Sequence, residues 1–229
     1  MITKTNFAPS RRALVLIATA SLALAGCGIG PTNPPAQIYV LDPDFAALPD
    51  APKVDWGLAV ARPDVADVHD TERLALQRGQ TMDYYADAQW TDSAPRLLQS
   101  LLVEAFEKSG RIGAVARDSG GVRGDYILTG EVRHFEAQYD SGNAAPNVVV
   151  DIEAKLLTLP RRDVVATLDS THQVRAAQNS VPAVVAAFNQ ATGAALEEIA
   201  AWTLRAPGAS SSVASGTAPA QPVRHRRHK

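Results

Sequence analysis

The residue in the most specific chemical setting is Cys27, the single cysteine of the chain. It directly follows Leu24-Ala25-Gly26, at the end of an uncharged apolar run over residues 13–25. A thiolate is a nucleophile that can take up an acyl-bearing group, and small residues before it leave the Gly26–Cys27 bond open to a peptidase. This is the pattern of the bacterial lipobox, in which the sulfur receives diacylglycerol and the chain is cut before it. The expected mature chain therefore begins at Cys27 and carries diacylglyceryl and N-acyl groups there, with no other cofactor. One cysteine also excludes an internal disulfide framework and a Cys-rich zinc site.

Other chemistry is sparse. Asp118-Ser119-Gly120-Gly121 shares the tail of a serine-protease nucleophile motif, but Arg117 stands where a glycine is needed, and no G-x-S-x-G elbow occurs. The five histidines are His69, His134, His172, His225 and His228. None belongs to an H-E-x-x-H or a repeated carboxylate–His spacing, so the sequence offers no metal site. His134 and His172 fall in expected strands and could meet across a sheet. Asp151 and Glu153 read as the solvated face of a strand. No Gly-rich phosphate loop is present. The chain is expected not to be an enzyme.

Charge divides the 229 residues into three unlike parts. Residues 1–26 carry +3 and residues 207–229 carry +4, neither with an acid, while 27–206 carry −9. An acidic body does not replace phosphate counterions, so nucleic acid is not an expected partner. The 13-residue apolar run is too short for a hydrocarbon core of about 30 Å. With Arg11 and Arg12 before it and small residues after, it reads as a secretory signal over 1–26. Ser10-Arg11-Arg12 touches the twin-arginine pattern, but the general secretion route is favoured. The residue after the cysteine is Gly28 rather than Asp, which points to the inner leaflet of the outer membrane, facing the periplasm, in preference to the inner membrane.

Positioning elements follow from spacing. Residues 27–37 hold the acylated cysteine and a Gly/Pro-rich tether, 38–205 form one folded domain, and 206–229 form a disordered Ala/Ser/Pro tail with a basic end. Strands are expected at 37–41, 54–61 and 81–88, with a charged loop around 67–72. Asp92-Ser93-Ala94-Pro95 opens a helix whose apolar face is Leu98, Leu101, Leu102, Ala105 and Phe106, closed by Gly110. Strands at 126–139, 148–156 and 164–174 form an antiparallel meander with a turn at 140–143. A last helix starts near Ser180 or Val181 and buries Val184, Phe188, Ala191, Ala195, Ile199 and Trp202. The expected class is α+β, a largely antiparallel sheet with two helices packed on one face, as a single domain.

Several pieces in order resemble the auxiliary lipoproteins of ABC-type transport systems, the kind paired with MCE-domain proteins in paraquat-inducible operons. After the lipobox come Ile38-Tyr39-Val40-Leu41-Asp42-Pro43, Arg73-Leu74-Ala75 and Tyr84-Tyr85…Trp90. Ala94-Pro95-Arg96-Leu97-Leu98-Gln99…Phe106-Glu107-Lys108-Ser109-Gly110 follows. Asp125-Tyr126-Ile127-Leu128-Thr129-Gly130-Glu131-Val132 and Ala186-Ala187-Phe188 complete the set, which spans about 38–204. The resemblance implies a non-enzymatic accessory subunit of an intermembrane lipid-transport machine. Its partners would be an MCE-domain protein, the associated ABC ATPase and permease, the membrane through the anchor, and phospholipid. The chain would dock the MCE conduit at the outer membrane, with a homo-oligomer compatible with that role. Aromatic anchors dominate many interfaces, so Tyr84, Tyr85 and Trp90 form a candidate partner-binding patch, the alternative being that they plug the sheet core. Rival classes are an outer-membrane assembly lipoprotein, a lipid-binding lipoprotein without an MCE partner, and a periplasmic hydrolase using His134, His172 and Ser119.

Overall fold

A computed structural model describes residues 35–120, 124–140, 142 and 144–214, with side chains through 207. The expectations for the leader, for Cys27, for the tether up to residue 34 and for the tail from 215 onward lie outside the described residues. The strands are β1 (Gln37–Tyr39), β2 (Val54–Val60), β3 (Asp64–Val65), β4 (Arg73–Arg78), β5 (Thr81–Trp90), β6 (Ile112–Arg117), β7 (Tyr126–Tyr139), β8 (Asn147–Thr158) and β9 (Val164–Arg175). Two α-helices, α1 (Ala94–Ser109) and α2 (Val181–Ala214), complete the α+β domain.

β7 is the spine of the sheet. Along one edge it pairs antiparallel with β8 from Tyr126↔Thr158 to Gln138↔Asn147, and β8 pairs in turn with β9. This is the expected meander. The other edge of β7 is shared end to end by three parallel strands: β2 at Leu58↔Tyr126, β3 at Asp64↔Glu131 and β4 at Leu76↔Ala137. β6 then extends β2 in parallel, β5 extends β4 antiparallel, and β1 lies parallel on β5. The sheet is therefore mixed, its longest ladders antiparallel and its front strands entering in parallel.

Alternation sets which side faces the helices. In β8, Val148, Val150, Ile152, Ala154 and Leu156 are buried and join the core. The intervening Glu153 and Lys155 face outward, where Arg133 bridges Glu153 and Asp169. α2 covers β8 and β9 while α1 covers β6 and β2. The helix starts behave as their residues dictate. α1 has Ser93 at its N-cap with proline in the first turn, and it ends on Gly110 at φ 61°, a left-handed position where glycine has no Cβ clash. The α2 stripe of Val184, Phe188, Ala191, Ala195 and Ile199 is fully buried. α2 also runs past the domain end expected at 205, with Pro207 inside it and Ala206 still buried.

Gly130, midway along β7, has no room for a side chain. A Cβ there would lie 2.8 Å from the Glu153 carbonyl oxygen of β8, and backbone cannot yield as a flexible side chain can. Gly130→Val is expected to destabilise the domain by about 1–3 kcal/mol, the usual range for overpacking. Equilibrium urea unfolding checks this; an unchanged midpoint would show that the β7–β8 ladder adapts.

Candidate functional site

The three aromatics proposed as a surface patch do not form one. Trp90 is 2% exposed. It packs edge-to-face on Phe188 of α2 at 5.2 Å and lies 6.2 Å from Phe135 of β7. It is a core residue, because the irregular register between β4 and β5 near Arg73 turns the end of β5 inward. Tyr85 is half-buried against the same core, and its hydroxyl meets that of Tyr139 at 2.8 Å. Tyr139 in turn donates to Asn179 Oδ1. Burial first, then the bond to Tyr139, pushes the Tyr85 phenol well above its ordinary pKa.

Tyr84 faces the opposite side of the sheet. Its hydroxyl donates to the Val68 carbonyl at 3.0 Å, and the Arg73 guanidinium lies over its ring at 4.1 Å. The ring thus pins the loop between β3 and β4 onto the outer face. That loop carries His69, 5% exposed, to within 3.5 Å of Glu136 Oε2. Glu136 is itself 1% exposed and saturated with donors. It accepts from the Phe135 backbone N–H and Gln138 Nε2, both at 2.7 Å, and lies 2.8 Å from His134 Nδ1. The sequence placed His69 and His134 in no carboxylate–His motif. The signal was available in parity: His134 and Glu136 are two apart on one strand and must share a face. His69 comes from a loop, which spacing does not place.

The hydrolase candidates are dispersed. His172 binds Glu198 Oε2 at 2.8 Å on the helix-covered side, so it does not meet His134. Ser170 donates to the same Glu198 oxygen at 2.6 Å. Partial burial works to raise Glu198, but the bonds from Ser170 and His172 outweigh it and hold the carboxyl below the usual glutamate range. With the carboxylate between the hydroxyl and the imidazole, the histidine is not placed to take the serine proton, which nucleophilic catalysis requires. Ser119 lies in a 3₁₀ turn over Asp118–Gly120, its N–H bonded to Asp118. Among the described residues no group of three or more His, Cys, Asp or Glu is placed to hold a metal ion.

Two hollows bear on ligand binding. One lies beneath both helices, lined by apolar residues that include Leu98, Leu102, Leu128, Ile152 and Ile199, and encloses about 10 Å³. That holds one water at most, far below the several hundred Å³ of a ligand pocket. The other, about 520 Å³, is an open groove where Asp42 and Asp44 face Asn189, Gln190 and Glu197 of α2. Its carboxylates suit neither an acyl chain nor an anionic headgroup. No helix among the described residues is long and apolar enough to cross a membrane.

Comparison with known proteins places these features in a group. The model of the family described as ABC-type transport auxiliary lipoprotein component matches residues 39–200. The crystal structure of XCC0632 from Xanthomonas campestris, assigned to DUF330, is 34% identical with a TM-score of 0.72, covering 77% of this chain and 99% of that one. A second crystal structure, of an uncharacterized protein, is 17% identical with a TM-score of 0.57 over 73% and 97% of the two chains, a likeness of fold. Protein bll6063 of Bradyrhizobium diazoefficiens is 27% identical over 158 residues, which are 69% of this chain but 42% of that relative. The chain thus spans less than half the length of that curated relative.

Proposed function

Since the chain belongs to the family of ABC-type transport auxiliary lipoprotein components, matched over residues 39–200, we propose that it is a non-enzymatic subunit of an MCE-linked intermembrane lipid-transport system. In this reading Cys27 is acylated in the inner leaflet of the outer membrane. The residues up to 37 are a tether, and the folded surface docks the end of an MCE conduit. The family match across nearly the whole folded domain carries the reading. It is supported by the separation of His134, His172 and Ser119, which sit on the outer face, on the helix-covered side and in the Asp118–Gly120 turn. The closed core supports a docking role over a lipid-carrying one, because the 10 Å³ cavity has no room for an acyl chain.

The experiment is capture of the full-length, membrane-anchored protein in mild detergent with identification of what accompanies it. An MCE-domain protein, with an ABC ATPase and permease, is expected. Capture of outer-membrane assembly proteins without any MCE protein would replace this role with that rival. The mass of the captured assembly reads out whether the chain is a homo-oligomer.

A further inference from the structure

We propose that residues 66–70 form a strap that acid releases from the outer face of the sheet, through protonation of His69 above Glu136 and His134. The inference is independent of the transport role.

The strap caps a row of residues running across four strands. Tyr84 of β5 pairs with Ala75 of β4, Ala75 neighbours Glu136 of β7 by register, and Glu136 pairs with Val149 of β8. Ala75 and Val149 are 3% exposed although they lie on the face away from the helices. His69 is the one strap residue that is buried. The strap is held by Tyr84 on Val68, by an Arg62–Asp70 ion pair of 2.6 Å, and by its own turn bonds, His69 N–H to Ala66 O and Asp70 N–H to Asp67 O. Beyond it, Thr71 and Glu72 are fastened separately, accepting from Ala94 and Trp90 backbone N–H groups. A local opening of 66–70 therefore leaves the sheet intact.

The His69 imidazole is poised to drive that opening. Its Nδ1 is buried with no hydrogen-bond partner among the described residues. Protonation would put a second N–H donor there, unpaired and out of water, and such a group is costly to leave unmade. Burial is the largest influence and lowers the His69 pKa; Glu136 opposes it, and His134 adds to it. The other ionisable groups at this corner are Asp67, Asp70 and Glu72 of the loop itself, Arg62 on Asp70, Arg73 and the Tyr84 hydroxyl from β4 and β5, and Asp151 of β8, paired with His134. Only Glu136 lies within ion-pair distance of His69 among the described residues.

The sign follows. Opening returns His69 to water and to an ordinary pKa of about 6.5. The open form then binds the proton more tightly than the closed one, so the closed form loses ground as pH falls through about 6.5, down to the lowered pKa of the closed form. Between pH 7.5 and 5.5 the open population is expected to rise, by about tenfold at the most. Opening bares Glu136, which lies buried beneath His69 on a face whose other charged groups already meet solvent.

Amide hydrogen exchange of the full-length protein in detergent, corrected for the intrinsic pH dependence, reads this out. The His69 and Asp70 amides should lose protection at pH 5.5 relative to 7.5, by up to about tenfold, while Val150 in β8 stays unchanged. His69→Gln should remove the pH dependence, whatever its basal opening. Because that variant could loosen the strap by itself, titration of ¹⁵N-histidine signals in the wild-type protein supplies a second reading. His69 should titrate below 6.5, in step with changes at Val68 and Asp70. Protection that is the same at both pH values, an unchanged pH dependence in His69→Gln, or a His69 titrating at or above 6.5 would each overturn the proposal.

Discussion

Trp90→Ala will lower the unfolding free energy by about 3–5 kcal/mol, as expected for a large aromatic removed from a core that only partly collapses. Trp90 is 2% exposed and stands where two strands of the sheet meet α2. It abuts Phe188 at 5.2 Å and Phe135 at 6.2 Å, and those two rings lie 5.0 Å apart. The indole thus joins β5, β7 and α2, and no neighbouring side chain can fill its volume without leaving its own place in the triad. Tyr84→Phe, in contrast, loses one hydroxyl bond to the Val68 carbonyl and should cost about 1 kcal/mol. Urea unfolding followed by the fluorescence of Trp56 and Trp202 distinguishes the two. A Trp90→Ala loss below about 1 kcal/mol would mean that the residue is not the keystone its packing indicates, and would return it to the surface patch first considered.

That pair of variants also marks where the sequence was readable. The helix at Ala94–Ser109 and the β7–β8–β9 meander were legible because each carries its own period, bounded by proline, glycine or a polar turn. β4 was not. Leu74, Ala75 and Leu76 are all buried, since β4 lies between β5 and β7 with the helices' side on one face and the strap on the other, and a run so short has no alternation to detect. β6 was missed for the opposite reason: Gly113, Ala114 and Ala116 give it little apolar signal, and its pairing with β2 is what makes it a strand. Tyr84, Tyr85 and Trp90 looked alike in sequence. A register irregularity, which is a property of the β4–β5 pairing rather than of either strand alone, sends Tyr84 outward and Trp90 into the core. The His69–Glu136 contact joins a loop to a strand 67 positions away, a separation that periodicity does not bridge.

The second large effect concerns Cys27, whose thiol has no substitute elsewhere in the chain. Cys27→Ser is expected to abolish labelling by a fatty-acid probe and to leave the chain uncut at Gly26–Cys27, because a serine hydroxyl is a far weaker nucleophile than a thiolate near neutral pH. The uncleaved apolar run of 13 residues would span only about 20 Å as a helix, short of the hydrocarbon thickness, and gives no durable outer-membrane anchor. One acyl chain already binds a bilayer marginally, at about 0.8 kcal/mol per buried CH₂, and further chains make the attachment lasting. Fractionation should therefore find the wild-type protein, but not the variant, in the outer membrane. The consequence for docking separates the anchor from the folded surface. If 38–205 holds the recognition surface and the residues before it act as a tether, the variant domain still binds its partner but loses the high local concentration that the tether would confer. Capture of the partner should then fall by about 10²-fold or more rather than vanish. Wild-type protein left blank by the probe would remove the lipid anchor from the mechanism. Undiminished capture by the Cys27→Ser protein would show that docking does not need the membrane at all.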